Sequence, residues 1–303
     1  MFTRALTTAI ALAVVVAPAT ARAQACCAAA GLVIPARLRL HEDFGAGLQV
    51  RGRTIYGSFD PGGSYHGTTA GDIDGEQDVF AAIRVLKDGQ VAVQIPFLIT
   101  RRSVPGVTEW GSGIGDVTLT ARYDFTVAGQ YSRLPGLALL LGLVVPTGRP
   151  ADEAHNTLAT DATGTGTWEG SVGVSLEQSW GHTFAAFDGW IGQRTPRSSQ
   201  GIRESFEPHL TALLAGGYVF DNEVSMGAFV TANWQGAGHD RSSGQVIPDS
   251  GTSLFSAGGA LVVPLSDAWR AQGTAFLNAP ISGLGRNQLA GVGGTFSILR
   301  AWL

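Results

Sequence analysis

The feature that most constrains this chain is a two-residue alternation of apolar and polar side chains. It is clearest after Gly113, where one parity is apolar and the other polar: Val117, Leu119, Ala121, Tyr123 and Phe125 against Asp116, Thr118, Thr120, Arg122 and Asp124. Successive side chains of a β-strand point to opposite faces, so this pattern predicts a strand with one apolar face and one polar face. The same period recurs along the chain and a helical stripe does not, which predicts an all-β fold.

Breaks in the alternation divide the chain into about twelve predicted strands. They lie near residues 47–58, 77–87, 91–101, 114–126, 136–146, 168–178, 182–193, 207–219, 223–234, 253–264, 269–278 and 287–302. Short turns such as Asp88-Gly89 and Asp221-Asn222 alternate with long polar stretches such as 60–76, 102–113 and 147–167. A soluble β-sandwich has no reason to sort its loops by length, whereas an outer-membrane barrel does. We therefore predict a transmembrane, antiparallel, up-and-down β-barrel of outer-membrane type with about twelve strands.

The composition suits a wall that faces lipid. Hydrophobic residues make up 45% of the chain and charged residues 15%, against roughly 25% charged in an average soluble domain. The longest apolar run, Leu137–Val145, is shorter than the roughly 20 residues that a membrane helix needs. A net charge of −4 supplies no basic patch, so a nucleic-acid partner is not expected. The expected partners are outer-membrane lipid and lipopolysaccharide, the barrel-assembly machinery and a small-molecule solute.

The N-terminal region predicts export. Residues 1–23 have a basic start, an apolar stretch and small residues at the end, which is typical of a cleaved secretory signal peptide. Lipid attachment at Cys26 is an alternative interpretation of the same region. Residues 24–46 precede the first strand and are expected to form either a periplasmic tail or a plug inside the barrel. Residues 47–303 are expected to form the barrel, placed in the outer membrane of a Gram-negative bacterium.

Two adjacent motifs carry a family resemblance. The stretch Gly113–Phe125 contains the pattern G-x-G-D-x-x-L-x-x-R-Y, and the apolar strand Leu137–Val145 ends in Pro146-Thr147-Gly148. Together they resemble the family of outer-membrane transporters linked to the meta pathway of phenol degradation, and more distantly the hydrocarbon and fatty-acid transport barrels. The resemblance implies a barrel that passes small, often hydrophobic compounds.

The polar parity supplies candidate residues for the inside of the barrel. If apolar residues face lipid, these arginines and carboxylates face the lumen: Arg51, Arg53, Arg84, Asp116, Arg122, Asp124, Glu169, Glu177, Asp188, Glu223 and Arg270. Such a set can line a polar route, or it can form ion pairs that prop the barrel open or fill it. Because Leu137–Val145 is apolar on both parities, one of its faces must look inward, and the sequence is compatible with either.

Candidates for catalysis are weak. Ser64, His66 and Asp72 in the first long connection, and His155 with Asp161 in the third, lack the spacing that implies a nucleophile and its base. We therefore do not expect an enzyme. An outer-membrane hydrolase is kept as an alternative.

No cofactor or metal is expected either. Cys26, Cys27 and His41 are three possible soft-metal ligands in a segment without a defined geometry. The sequence favours a channel or transporter through which small, hydrophobic or aromatic solutes diffuse passively. A structural or adhesion-type barrel, with its function in the external loops, is the main alternative.

Overall fold

The computed structural model describes residues 36–68, 71–128, 134–199, 202–240, 246–247 and 250–303. The predicted signal peptide, Cys26, Cys27 and the first part of the predicted N-terminal segment lie outside these residues. Within the described ranges, no helix is long and apolar enough to cross a bilayer.

Strands account for most of the described chain. In chain order they are β1 (Phe44–Phe59), β2 (Tyr65–Gly67), β3 (Ile73–Leu86), β4 (Gly89–Val104), β5 (Val107–Ile114), β6 (Val117–Thr126), β7 (Gly136–Val145), β8 (Glu169–Trp180), β9 (Thr183–Arg194), β10 (Arg197–Ser199), β11 (Ile202–Ser205), β12 (His209–Val219), β13 (Ser225–Gln235), β14 (His239–Asp240), β15 (Thr252–Pro264), β16 (Trp269–Leu277), β17 (Gly285–Arg286) and β18 (Gln288–Trp302). One 3-10 turn, Ala151–Glu153, lies between β7 and β8.

Twelve of these strands close a barrel. Their order is β13-β12-β9-β8-β7-β6-β4-β3-β1-β18-β16-β15, and β15 pairs with β13 to complete the ring. Strands that follow one another in the chain are antiparallel neighbours in the wall. The seam joins β1 to β18, from the pair Phe44↔Trp302 to the pair Phe59↔Gln288. A closed ring leaves no unpaired strand edge in the hydrocarbon layer, and it confirms the predicted up-and-down barrel.

The connections sort by length between the two ends of the barrel. Turns 87–88, 181–182, 220–224 and 265–268 lie at one end, named the short-turn end. The long connections, of which 146–168 is the most extended, lie at the opposite end, named the long-loop end. This is the asymmetry that the sequence predicts.

One expected loop is a pair of strands. Residues 102–113 were predicted as a connection, but β4 continues to Val104 and returns as β5, with Val104 paired to Val107. The turn between them is Pro105-Gly106, where Gly106 has φ +86°, as the second central residue of a type II turn requires. The Pro-Gly pair within this polar stretch is therefore a tight hairpin turn between two strands and not the middle of a long connection.

Exposure alternates along the wall strands as the sequence pattern predicts. On β6, Leu119 is 39% exposed, Tyr123 41% and Phe125 58%, whereas Arg122 is only 9% exposed. The exposed parity covers the outer surface and the buried parity points into the barrel. The apolar strand β7 follows the same rule, because Ala138 and Leu140 are buried and Leu141 and Leu143 are exposed. Its inward face is therefore the one that carries Leu140.

Buried apolar side chains lie inside the barrel, near the short-turn end. The first group, named the lumenal apolar cluster, comes from β9, β12, β13 and β15: Phe184, Ala186, Leu213, Ala215, Val219, Phe229, Ala260 and Val262. A second group joins residues that precede β1 to the wall: Ala36, Leu38, Phe80, Ala82, Ala92, Leu299 and Ala301. The short-turn half of the lumen is thus packed with side chains.

Candidate functional site

Residues 36–43, named the N-terminal segment, lie inside the lumen at the short-turn end. Leu38 is 5% exposed and packs in the cluster that contains Phe80 and Leu299, on opposite sides of the seam. Its backbone N–H donates to the Gln90 side-chain oxygen at 3.1 Å. The segment runs directly into β1, and Asp43 bonds to both neighbours of that strand, donating to the Trp302 carbonyl at 2.8 Å and accepting from the Arg84 amide at 2.7 Å.

A buried ion-pair network ties this segment to the far wall. Arg37 donates two hydrogen bonds to Glu177 on β8, of 2.5 and 2.9 Å. Glu177 also accepts from Arg122 at 3.1 Å and from the Ser175 hydroxyl at 3.2 Å. Arg122 donates to Asp124 at 2.8 Å. Glu177 and Arg122 are both buried, and a buried carboxylate needs such partners because it has lost its water.

Two wall arginines bind the backbone of the segment. Arg84 donates to the carbonyls of Glu42 at 3.0 Å and Arg39 at 2.5 Å. Arg270 donates to the Arg37 carbonyl at 2.6 Å and forms an ion pair with the Glu42 carboxylate at 2.5 Å. An extended segment away from the sheet has carbonyls without ladder partners, and the guanidinium groups supply the missing donors.

The predicted lumenal residues therefore fall into separate groups. Arg84, Arg122, Asp124, Glu177 and Arg270 surround the N-terminal segment. Four others lie elsewhere on inward-facing strand positions: Arg51, Arg53, Glu169 and Asp188. Asp188 is buried on β9, beside Ser175 in the pairing of β8 with β9. Near the long-loop end, Glu169 accepts from Arg194 at 2.9 Å and lies 3.3 Å from the His209 ring.

Two predicted lumenal residues lie outside the strands. Asp116 occupies the break between β5 and β6, and its carboxylate accepts from the amides of Gly148 at 2.9 Å and Thr165 at 2.7 Å. It anchors the long connection 146–168. Glu223 lies in the turn before β13, with φ +62°, and approaches Arg39 only to 3.7 Å. The prediction of a strand residue at 223 was wrong because the chain needs a left-handed residue there to turn into β13.

The connection 146–168 folds onto the barrel mouth. Asp161 accepts from the amides of His155 at 3.0 Å and Asn156 at 3.1 Å, and from Arg149 at 2.6 Å. These hydrogen bonds hold the pKa of Asp161 well below its ordinary value. Thr163 donates through its hydroxyl to the Ile114 carbonyl at 2.7 Å, which fixes the loop against β5. The loop thus narrows the long-loop end.

The candidate catalytic residues have structural partners. Asp161 braces the loop, and His155 lies 3.4 Å from it with its ring largely exposed. His66 pairs with Asp60 at 3.0 Å, and that hydrogen bond is the main cause that lowers the pKa of Asp60. Asp72 accepts from the backbone amide of Ser103 at 2.8 Å. In each case the carboxylate holds a loop in place.

A cavity of about 450 Å³ occupies the long-loop half of the lumen. One wall carries ion pairs between neighbouring strands. Arg53 donates to Asp74 at 2.5 Å, Arg102 lies 2.6 Å from the other oxygen of Asp74, and Arg51 pairs with Glu76. The remaining lining is uncharged: Gly75, Leu98, Thr100, Ala162, Asn233, Leu254, Ser256, Phe276 and Asn278.

Sequence reasoning placed Arg51 and Arg53 on this face but missed Asp74, Glu76 and Arg102. The sequence predicts a connection over residues 60–76 and therefore assigns no parity to the acids at its end. The alternation Asp74-x-Glu76-x-Asp78 carries the signal, because three acids at a spacing of two share one face of a strand. Extending β3 back to Ile73 would have placed them opposite the arginines of β1.

The closed wall, the lipid-facing apolar parity and the charged lumen define an outer-membrane β-barrel. Residues 57–298 match the family described as MetA-pathway of phenol degradation, and the chain belongs to that family. No curated protein matches the chain.

Several solved structures are similar to the chain. The COG4313 outer membrane channel from Pseudomonas putida F1 is 13% identical, with a TM-score of 0.69 over 89% of this chain and 97% of that one. The translocator domain of autotransporter NalP from Neisseria meningitidis is 11% identical, with a TM-score of 0.47 over 86% and 88%. The CymD monoaromatic hydrocarbon channel is 11% identical, with a TM-score of 0.43 over 86% and 89%. At such low identity the first likeness shows the fold alone.

Proposed function

We propose that this barrel is a channel through which small hydrophobic or aromatic solutes cross the outer membrane by passive diffusion. The observation that carries the proposal is the cavity of about 450 Å³ at the long-loop end, which adjoins the lumenal apolar cluster through Phe276. Outer-membrane barrels place their long loops outside the cell and their short turns in the periplasm. The cavity then faces the external medium and the N-terminal segment faces the periplasm.

An apolar track leads inward from the cavity. Phe276 lines the cavity and also packs against the lumenal apolar cluster, which extends toward the short-turn end through Leu213, Phe229 and Phe184. An aromatic solute that leaves water for such a track gains hydrophobic contact at each step, roughly in proportion to its buried area. The polar wall of the cavity keeps its entrance hydrated.

The N-terminal segment acts as the plug of this channel. It fills the short-turn end through Leu38, and its ion pair from Arg37 to Glu177 closes the passage. Passage of a solute requires this segment to move aside. Asp43 makes backbone bonds to Trp302 and Arg84, but the polar contacts of residues 36–42 with the wall come from wall side chains. Residues 36–42 can therefore leave without loss of a strand.

Purified protein in planar bilayers and in liposomes tests the proposal. We expect ion conductance, and faster liposome swelling in isosmotic benzamide than in isosmotic arabinose, because the track favours the aromatic solute. Protein-free liposomes measure the passage of benzamide through lipid alone. A folded barrel without conductance, with swelling equal to that of protein-free liposomes, would support the structural or adhesion-type alternative.

A further inference from the structure

We infer that the cavity at the long-loop end is a binding site for small aromatic carboxylates, an inference that rests on the proposed function and narrows its solute class. Three guanidinium groups, those of Arg51, Arg53 and Arg102, line the cavity together with only two carboxylates, those of Asp74 and Glu76. The third acid of the β3 row, Asp78, is not part of the cavity lining; it is buried, accepts from Gln49 at 2.9 Å and lies beside Glu76. The lining therefore carries one excess positive charge, which favours an anion.

Arg51 is the guanidinium that a solute can reach. Arg53 and Arg102 share the two oxygens of Asp74, at 2.5 and 2.6 Å. Arg51 pairs with one oxygen of Glu76, and its side chain is 48% exposed. A guanidinium carries five N–H donors in a planar fork, so Arg51 keeps donors directed at the cavity while it holds Glu76. This geometry matches the two oxygens of a carboxylate.

An aromatic surface lies beside this row of arginines. Phe276 on β16 and Arg53 on β1 both pair with Gly293 on β18, which lies between them. A Cβ at Gly293 would clash with the Gly52 carbonyl oxygen and lie 2.9 Å from the Phe276 ring and 3.1 Å from the Cα of Arg53, so only glycine fits between the ring and β1. The ring therefore lies over β18 next to the charged wall. Leu254 extends the apolar surface on the other side.

These two surfaces specify an amphipathic ligand. A flat apolar ring fits against Phe276 and Leu254, while a carboxylate on the same molecule reaches Arg51. The cavity volume of about 450 Å³ falls within the range of roughly 300 to 1,000 Å³ typical of small-molecule sites. A neutral aromatic would lose the ion pair, and a cationic one would meet the excess positive charge.

Three probes of one shape test the inference by calorimetry on the full-length protein in detergent: benzoate, benzamide and benzamidine. We expect benzoate to bind at least about 10-fold more tightly than neutral benzamide, with benzamidine weaker still. The variant Arg51→Gln combined with Glu76→Gln removes the ion pair without leaving a lone charge, and should weaken benzoate about 10-fold. Arg51→Lys should fall between, because it keeps the charge and loses the planar fork.

The matched control is Arg101→Gln. Arg101 is the next residue to Arg102 but lies on the outward parity, over the ring of Trp110 at 5.8 Å, so its loss should leave benzoate binding unchanged. Equal binding of the three probes, or unchanged benzoate affinity in the double variant, overturns the inference. A barrel that conducts but does not prefer benzoate would contradict the binding site and support the channel. A barrel that binds benzoate but does not conduct would contradict the channel and support the binding site.

Discussion

Arg37 and Glu177 form a bidentate ion pair of 2.5 and 2.9 Å although 140 residues separate them in the chain. Glu177 is buried and Arg37 nearly so, with side chains 4% and 12% exposed. The pair crosses the lumen from a segment outside the sheet to a strand on the far wall. In the proposed channel, a contact of this kind couples closure of the passage to the position of a few residues before β1.

Breaking that pair should open the barrel without unfolding it. Arg37→Ala removes the segment's bond to β8, while Glu177 keeps Arg122 as a partner, so we expect a loss of roughly 1 to 3 kcal/mol in local stability. The open fraction in planar bilayers should rise. Glu177→Ala removes the acidic partner of Arg37 on β8 and one of the two acidic partners of Arg122, and should cost more, about 3 to 5 kcal/mol. Unchanged single-channel records in Arg37→Ala would contradict the role of the segment as a plug.

The inward face of β7 should be sensitive to truncation. Leu140 is 2% exposed inside the barrel, so Leu140→Ala should cost about 2 to 5 kcal/mol through the cavity that it leaves. Leu141→Ala, on the lipid face at 47% exposure, should cost less than about 1.5 kcal/mol. Urea unfolding followed by heat-modifiable gel mobility measures both. Equal losses would show that the inward assignment of Leu140 is incorrect.

Charge placed on the two parities of β6 should separate lipid from lumen. Leu119→Arg puts a guanidinium against hydrocarbon at a cost of roughly 2 to 4 kcal/mol at mid-depth. Thr118→Arg, one residue earlier, enters the lumen and should fold with little loss. The comparison uses the same unfolding assay, and similar destabilisation of both variants would argue against a lipid-facing outer parity.

The braced loop 146–168 should be stable over the ordinary pH range. Hydrogen bonding lowers the pKa of Asp161 in the folded protein, so its stabilising contribution is present above the unfolded value of about 3.9 and is lost only as pH falls through the lower folded pKa. Thermolysin cleavage in the loop should therefore be constant between about pH 8 and 6, where the acid stays ionised. Asp161→Asn should increase cleavage at every pH. Cleavage that rises in the unaltered protein within this range would contradict the brace.

Thiol labelling of intact cells tests the orientation. With Cys26 and Cys27 replaced by alanine, cysteines at Ser64 and Thr157 lie at the long-loop end and should react with an impermeant reagent. Cysteines at Gly89 and Asn222 lie at the short-turn end and should react only after the outer membrane is permeabilised. If the cysteines at Gly89 and Asn222 react in intact cells and those at Ser64 and Thr157 do not, the cavity faces the periplasm and the assigned orientation is wrong.

The alternation of side chains was sufficient to predict the barrel, because an outer-membrane wall repeats one physical requirement at every strand. The alternation did not predict the structure at the strand ends, where side chains no longer face lipid on one side and the lumen on the other. Asp74 and Glu76 lie at the mouth end of β3, where Gly71 and Gly75 interrupt the pattern and the sequence resembles a loop. Glu223 continues the alternation of β13 by chance, but the backbone turns there.

The interior could be predicted only in part. The parity of β6 places Arg122 and Asp124 in the lumen, yet no pattern in the sequence links Arg37 to Glu177 or Arg270 to Glu42. These pairs depend on how the N-terminal segment crosses the ring, which is a three-dimensional relationship between distant parts of the chain. The sequence left a tail and a plug as alternatives for the same reason.

The N-terminal segment also bears on how the molecule matures. It leads into the first strand of the wall, and the side chains that grip it come from β3 and β8 on one side of the seam and from β16 on the other. Those partners stand around a common centre only after β18 has paired with β1. Before the barrel closes, the binding partners of the segment are not all in place. We therefore expect the N-terminal segment to dock in the last step of biogenesis, after the barrel has closed.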